Sequence, residues 1–164
     1  MGIDKEKIAK RISDVQSAFN SLDKYAGINE AEFLNDDEKV AAAKYFLISM
    51  IEGCISLCTH ISAKELHKVP DTYTTCFKIL ADNNIISDDL ATSLARMAGF
   101  RNLLIHRYWE IDDKKVCQYI KSEKNFLFRK QVESFIKTYF KRLWGLEENK
   151  LLRHWGSSLQ TKLK

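Results

Sequence analysis

Apolar residues recur every three or four positions along most of this chain, and this spacing predicts amphipathic α-helices. The first stripe ends before Gly27, which is expected to stop its helix as a C′ glycine. The second stripe follows the acidic run at residues 36–38, where negative side chains suit a helix N-terminus. Residues 28–35, between the two helices, are predicted to form a loop. The two stripes consist of Ile8, Ile12, Val15, Phe19, Leu22, Leu47, Ile51, Cys54, Cys58 and Ile61.

Four more helices are predicted in the rest of the chain. Asp71 is the expected cap of a short helix, and Ser87 is the expected cap of a longer one. A short helical piece over 112–120 and a long apolar stripe over 128–143 follow. No segment shows the alternating period of a β-strand, so the fold class is predicted to be all-α, an up-and-down four-helix-type bundle with short additional helices.

The helical periodicity weakens after Gly145. Residues 1–145 are therefore predicted to form one helical domain, and residues 146–164 a basic C-terminal tail or capping segment. The length of 164 residues allows one hydrophobic core, which should bury roughly 70% of the surface that the unfolded chain exposes. Six glycines and one proline leave too few turns for a β-sandwich or barrel.

Targeting and metal-binding signals are weak in this sequence. No apolar run approaches the roughly 20 residues of a bilayer span, and the first residues lack the apolar region of a signal peptide. A cytoplasmic protein without membrane contact is expected. The four cysteines, at positions 54, 58, 76 and 117, lie inside apolar patterns and are expected to be buried free thiols. Their spacing matches no zinc motif, so no metal site is predicted.

The charge is uneven along the chain. Residues 1–120 carry 15 Lys and Arg against 18 Asp and Glu, whereas residues 121–164 carry 11 against 4. A basic end on a nearly neutral body suits a polyanionic partner such as a nucleic acid. A solvated helix face with surplus lysines is the equal alternative.

Polar side chains concentrate in one short segment, which reads GFRNLLIHRYWEID. It supplies Arg101, which can hold a phosphate through two hydrogen bonds, and His106, which can transfer protons near neutral pH. The two residues would lie about 140° apart on an ideal helix. The helix must therefore end near His106, or a second copy of the chain must complete the site across a two-fold axis.

An Arg and a His suffice to cleave RNA without a metal. A base removes the 2′-OH proton, the 2′-oxygen attacks phosphorus, an acid protonates the departing 5′-oxygen, and the guanidinium stabilises the phosphoryl charge. Judged by residue types alone, a helix C-terminus with basic side chains against its dipole explains the pair better.

The spacing Arg101-Asn102-x-x-x-His106-x-Tyr108 closely resembles the motif of the HepT toxins in the HEPN superfamily. The resemblance extends over roughly residues 1–145 and implies a helical homodimer with two facing motifs. It implies metal-independent ribonuclease activity with RNA as substrate and no cofactor. Arg101 would bind the scissile phosphate, His106 would be the acid/base, and Asn102 would orient that group or the RNA. Arg107 stands at a variable position and would add a phosphate contact.

The resemblance also implies a protein partner. HepT toxins pair with an antitoxin that is a minimal nucleotidyltransferase (MNT), and this enzyme can adenylylate the tyrosine of the motif, which corresponds to Tyr108. The added AMP would block the cleft by its bulk and its negative charge. A function of another class stays open: a non-catalytic helical subunit that binds a nucleotidyltransferase and helps present its nucleotide substrate.

Other candidate residues have weaker signals. Glu52 lies in an apolar stretch of its helix, where an exposed or capped glutamate is favoured over a place in the cleft. His60, His67 and His154 have no partners at useful spacing and are predicted to be surface or loop histidines. Trp109 could stack on a base or pack at the helix end.

Overall fold

The computed structural model describes residues 2–145, and the helices predicted from the apolar periodicity are present. Their bounds are α1 Lys5–Ala26, α2 Glu30–Leu34, α3 Asp37–Lys64, α4 Tyr73–Asp82, α5 Asp88–His106, α6 Asp113–Lys121 and α7 Glu123–Trp144. A single 3-10 turn, Tyr108–Glu110, joins α5 to α6. The predicted tail over 146–164 and His154 lie outside the described residues.

The four long helices form the body of the molecule. Contacts between α1 and α3, α3 and α5, α5 and α7, and α7 and α1 close a ring of four. The short α4 packs on α3 and α5, whereas α6 packs on α1, α2 and α7. The prediction of an all-α bundle with short additional helices is confirmed.

Helix α3 is the central apolar element. By length and composition it is the one described helix that could cross a membrane, but 56% of its apolar window is buried inside the bundle. Because α1, α4 and α5 cover it, its apolar character is that of a core helix. All ten residues of the two predicted N-terminal stripes are buried.

Side-chain caps fix most of the helix starts. Ser87 Oγ accepts a hydrogen bond from the Leu90 amide at 3.1 Å and thereby starts α5, as predicted. The prediction for α4 was wrong by one residue, since Thr72 rather than Asp71 caps it. Thr72 has the extended backbone of an N-cap, and its hydroxyl accepts from the Thr75 amide at 3.1 Å.

The segment predicted as a loop contains a helix. Asn29 caps α2, and the five-residue helix buries Phe33 completely. The loop prediction was wrong because five residues are too few to establish a helical period. Gly27 does end α1, but it does so with φ −86°, not in the left-handed conformation of a C′ glycine. That conformation occurs at Gly145, where φ is 59° after α7.

The prediction for the cysteines is confirmed, whereas the prediction for His60 is wrong. The four cysteines are free and buried, as expected, and burial raises the pKa of Cys54 to about 12. His60 is buried, so its prediction as a surface or loop residue was wrong. Its Nε2 accepts a hydrogen bond from the Asp4 amide at 3.3 Å, and burial lowers its pKa. His67 is exposed in the loop after α3, as predicted.

A glycine allows α1 and α3 to approach closely. A Cβ atom on the buried Gly53 would lie 2.5 Å from Cγ2 of Val15, which is 1% exposed and stiff because it is β-branched. We expect Gly53→Val to lower the free energy of unfolding by about 1–3 kcal/mol through overpacking. Chemical denaturation measures this change. Gly99→Val is the matched control, because Gly99 lies exposed in α5 with no atom within 4 Å of its added Cβ. Equal stability of the two variants would contradict the prediction.

Candidate active site

The motif lies at the C-terminal end of α5, which ends at His106, the first of the two arrangements that the sequence left open. Arg107 leaves the helical conformation with φ −135° and ψ 41°, and its amide still donates to the Leu103 carbonyl. The 3-10 turn that follows carries Tyr108. The α-helix is interrupted here, so the polar side chains do not continue along one helix.

Arg101 is held by a carboxylate from α3. Its Nε donates a hydrogen bond to Glu52 Oε1, and its Nη2 forms an ion pair with the same oxygen. The Arg101 side chain is 19% exposed, so most of this side chain is shielded from water. The sequence favoured an exposed or capped Glu52; the structure instead pairs this half-exposed side chain with the arginine of the motif.

Asn102 occupies another edge of the same guanidinium. Its Oδ1 accepts a hydrogen bond from Arg101 Nη1 at 2.9 Å. A guanidinium has five N–H groups. Within residues 2–145, Nε and Nη1 donate hydrogen bonds to Glu52 and Asn102, and Nη2 forms the ion pair with Glu52. Each terminal nitrogen carries two N–H groups, and N–H groups of this kind bind phosphate oxygens.

His106 is exposed in the last turn of α5. Among the described residues, no hydrogen bond or ion pair joins it to Arg101. The single chain therefore presents the arginine and the histidine as separate groups.

Arg107 and Tyr108 have contacts of their own. Arg107 Nη1 lies 3.4 Å from Glu110 Oε2. Because the Arg107 side chain is 61% exposed and the Glu110 side chain 50%, this ion pair is weak. Tyr108 is 48% exposed. Its ring centroid lies 4.1 Å from the ammonium of Lys44, a residue that no motif in the sequence singles out.

Exposed apolar side chains surround the motif. Leu103 and Ile105 lie between Asn102 and His106 and are each 41% exposed, and Trp109 is 79% exposed. Large apolar side chains in water next to a functional motif are typical of a protein interaction surface. Within residues 2–145, no cluster of three or more His, Cys, Asp or Glu side chains is arranged to hold a metal ion.

Comparison with known families gives a match over most of the chain. Residues 8–137 match the family described as Ribonuclease HepT-like. A tRNA nuclease HepT of Aphanizomenon flos-aquae is 25% identical over 133 residues, which cover 80% of this chain and 90% of that protein. An mRNA nuclease HepT of Shewanella oneidensis is 34% identical over 61 residues. These residues cover 37% of this chain and 46%, less than half, of that relative.

Solved structures share the fold. The HEPN toxin of Shewanella oneidensis, solved in a tri-AMPylated state with its MNT antitoxin, superposes with a TM-score of 0.68 at 24% identity. The match covers 79% of this chain and 93% of that one. YutE, a cytosolic protein of unknown function from Bacillus subtilis, gives a TM-score of 0.71 at 16% identity, over 88% of this chain and 95% of that one. The matches confirm the predicted family, fold class and enzyme class.

Proposed function

The chain belongs to the ribonuclease HepT-like family, and on that premise we propose that it is a metal-independent endoribonuclease toxin whose catalytic residues are Arg101 and His106. One observation carries the proposal: Glu52 and Asn102 hold the guanidinium of Arg101, the arginine of the motif, from two sides. Preorganised donors of this kind stabilise charge as it develops on a phosphoryl group.

The proposed reaction is an internal phosphoryl transfer in RNA. His106 removes the 2′-OH proton, the 2′-oxygen bonds to phosphorus, and the bond from phosphorus to the 5′-oxygen breaks. The His106 imidazolium of a second protomer donates a proton to the departing 5′-oxygen. The products are a 2′,3′-cyclic phosphate and a 5′-hydroxyl. Arg101 binds the non-bridging oxygens throughout, and Arg107 contacts a neighbouring phosphate.

A homodimer supplies the second histidine. Support comes from the exposed apolar residues inside the motif, Leu103 and Ile105, and from the exposed Trp109 that follows it. A two-fold axis at this surface would cover these side chains and set two copies of the motif against each other. Such an arrangement also explains why no hydrogen bond or ion pair joins Arg101 to His106 within the described residues of one chain.

The partner is proposed to be an MNT-type nucleotidyltransferase antitoxin. Support comes from the family and from the solved complexes of similar fold. In the proposed step the Tyr108 hydroxyl oxygen attacks the α-phosphorus of ATP. The oxygen–phosphorus bond forms, pyrophosphate leaves, and the phenolic proton passes to solvent. Tyr108 is 48% exposed and follows His106 by two residues, so the attached AMP would occupy the space that RNA phosphate needs.

The experiment is RNA cleavage in EDTA by chain produced without the partner, with intact mass measured on the same sample. We expect cleavage that leaves cyclic phosphate and 5′-hydroxyl ends, and no cleavage when the 2′-OH at the cut site is replaced by hydrogen. The 2′-deoxy oligonucleotide is the matched control, because only the nucleophile is missing. Intact RNA after incubation with unmodified chain would contradict the proposal and support the non-catalytic subunit instead.

A further inference from the structure

Lys44 of α3 is a charged side chain in a buried position beneath Tyr108. The residue is 4% exposed. Its Nζ lies 4.1 Å from the Tyr108 ring centroid and 2.5 Å from Asp113 Oδ1. Lysines are almost never buried without a partner, because the ammonium loses its hydration. The two contacts are therefore what keeps this cation inside the protein.

Lys44 contacts both ends of the segment that runs from the last residue of the motif to the start of α6. Tyr108 opens the 3-10 turn after α5, and Asp113 is the first residue of α6. One ammonium from α3 thus fixes both ends of the connection from α5 to α6. A cation at the face of an aromatic ring attracts its electrons, and this attraction strengthens when water is excluded, as it is at Lys44.

This arrangement restrains the ring without covering the residue. Tyr108 remains 48% exposed although the buried cation lies at its ring. The activation free energy of a group transfer depends on how well the nucleophile is already oriented toward the reacting atom. A tyrosine at a turn between two helices would otherwise sample several rotamers.

We propose that Lys44 is the positioning residue for Tyr108, and that its ammonium orients the ring so that the nucleotidyltransferase can transfer AMP to it. This inference rests on the proposed function, in which Tyr108 is the acceptor. It assigns to Lys44 no contact with RNA, because the ammonium is buried. Removal of the charge should therefore slow the modification and leave RNA cleavage in place.

The test follows AMP transfer by intact mass over time, with the cognate nucleotidyltransferase, ATP and Mg²⁺. Four variants are compared with the wild type: Tyr108→Phe, Lys44→Met, Lys44→Arg and Lys39→Met. Lys39→Met is the matched control, since Lys39 is a partly exposed α3 lysine that pairs with Glu32 and Asp36. We expect no transfer to Tyr108→Phe, transfer at least tenfold slower to Lys44→Met, and nearly wild-type transfer to Lys44→Arg and Lys39→Met.

The outcomes distinguish a failure of this inference from a failure of the proposed function on which it rests. Absence of AMP on the wild type would overturn the adenylylation itself. If the wild type and Lys44→Met are modified by AMP at equal rates, only the role of Lys44 is overturned. The same holds if AMP transfer to Lys44→Arg is as slow as transfer to Lys44→Met. Where Lys44→Met does not fold, Asp113→Asn replaces it, because it keeps the cation and weakens its anchor. Transfer at least threefold slower than wild type is expected there, and an unchanged rate would overturn the inference.

Discussion

Replacement of His106 by alanine is expected to lower the rate of RNA cleavage by about 10²- to 10⁴-fold, the usual contribution of a general acid–base group. His106 is exposed at the end of α5, so the loss should not reflect unfolding. Arg101→Lys is expected to cost about 10²- to 10³-fold, because an ammonium cannot reproduce the paired N–H groups that stabilise the phosphoryl oxygens. Single-turnover cleavage of a fixed oligonucleotide measures both effects.

Matched controls come from the same chain. His67→Asn removes an exposed imidazole from the loop after α3, and asparagine tolerates the positive φ of 53° found there. Arg96→Lys changes an exposed arginine of α5. Arg96 is five residues from Arg101, so the two side chains project in different directions from the helix. Both controls should cleave at the wild-type rate. Activity of His106→Ala within a few-fold of the wild type would contradict the assignment.

A mixed dimer tests whether the site is shared between protomers. Two affinity tags isolate the species with one wild-type chain and one His106→Ala chain. If each cleavage event needs a histidine from both chains, this species should have far less than half of the wild-type activity. Half of the activity would mean that each chain carries a complete site.

Loss of Glu52 is the second substitution with a large expected effect. Glu52→Ala removes the carboxylate that engages Nε and Nη2 of Arg101 across the α3–α5 contact. The guanidinium would then no longer be held in one orientation, and misplacement of a catalytic group by about 1 Å costs on the order of 10²-fold in rate. We expect kcat to fall by about 10- to 100-fold while KM stays constant, because the released arginine still attracts phosphate.

Two further variants distinguish positioning from a loss of stability. Glu52→Gln keeps an acceptor oxygen at the same place and is expected to retain part of the activity. Glu38→Gln removes a carboxylate from the exposed first turn of α3 and should leave cleavage unchanged. Thermal melts should show all three variants folded. An unchanged kcat in a folded Glu52→Ala would exclude the positioning role.

The sequence was most informative where one periodic pattern extended over many turns. The stripe from Ile8 to Leu22 and the cap at Ser87 predicted α1 and the start of α5, because each signal depends on near neighbours in the chain. Short elements carried too little signal. Phe33 is the single buried residue of α2, and a helix of five residues is too short to show a repeating apolar period.

Isolated polar residues in apolar helices were the harder problem. His60 and Glu52 look alike in the sequence, since each interrupts an apolar run in α3. The structure buries His60 against the Asp4 amide and directs Glu52 to the motif. Which face of α3 meets which neighbour decides these roles, and periodicity within one helix does not contain that information.

The sequence by itself determined the helical class, the cap at Ser87 that starts α5 and the motif that carries the family, because these depend on residues a few positions apart. Only the tertiary structure decided what surrounds the motif. Glu52 reaches Arg101 across 49 positions, and Lys44 reaches Tyr108 across 64. The physical reason is that α3 packs against α1, α4 and α5 at the centre of the bundle, so its few charged side chains reach partners that only this packing brings near.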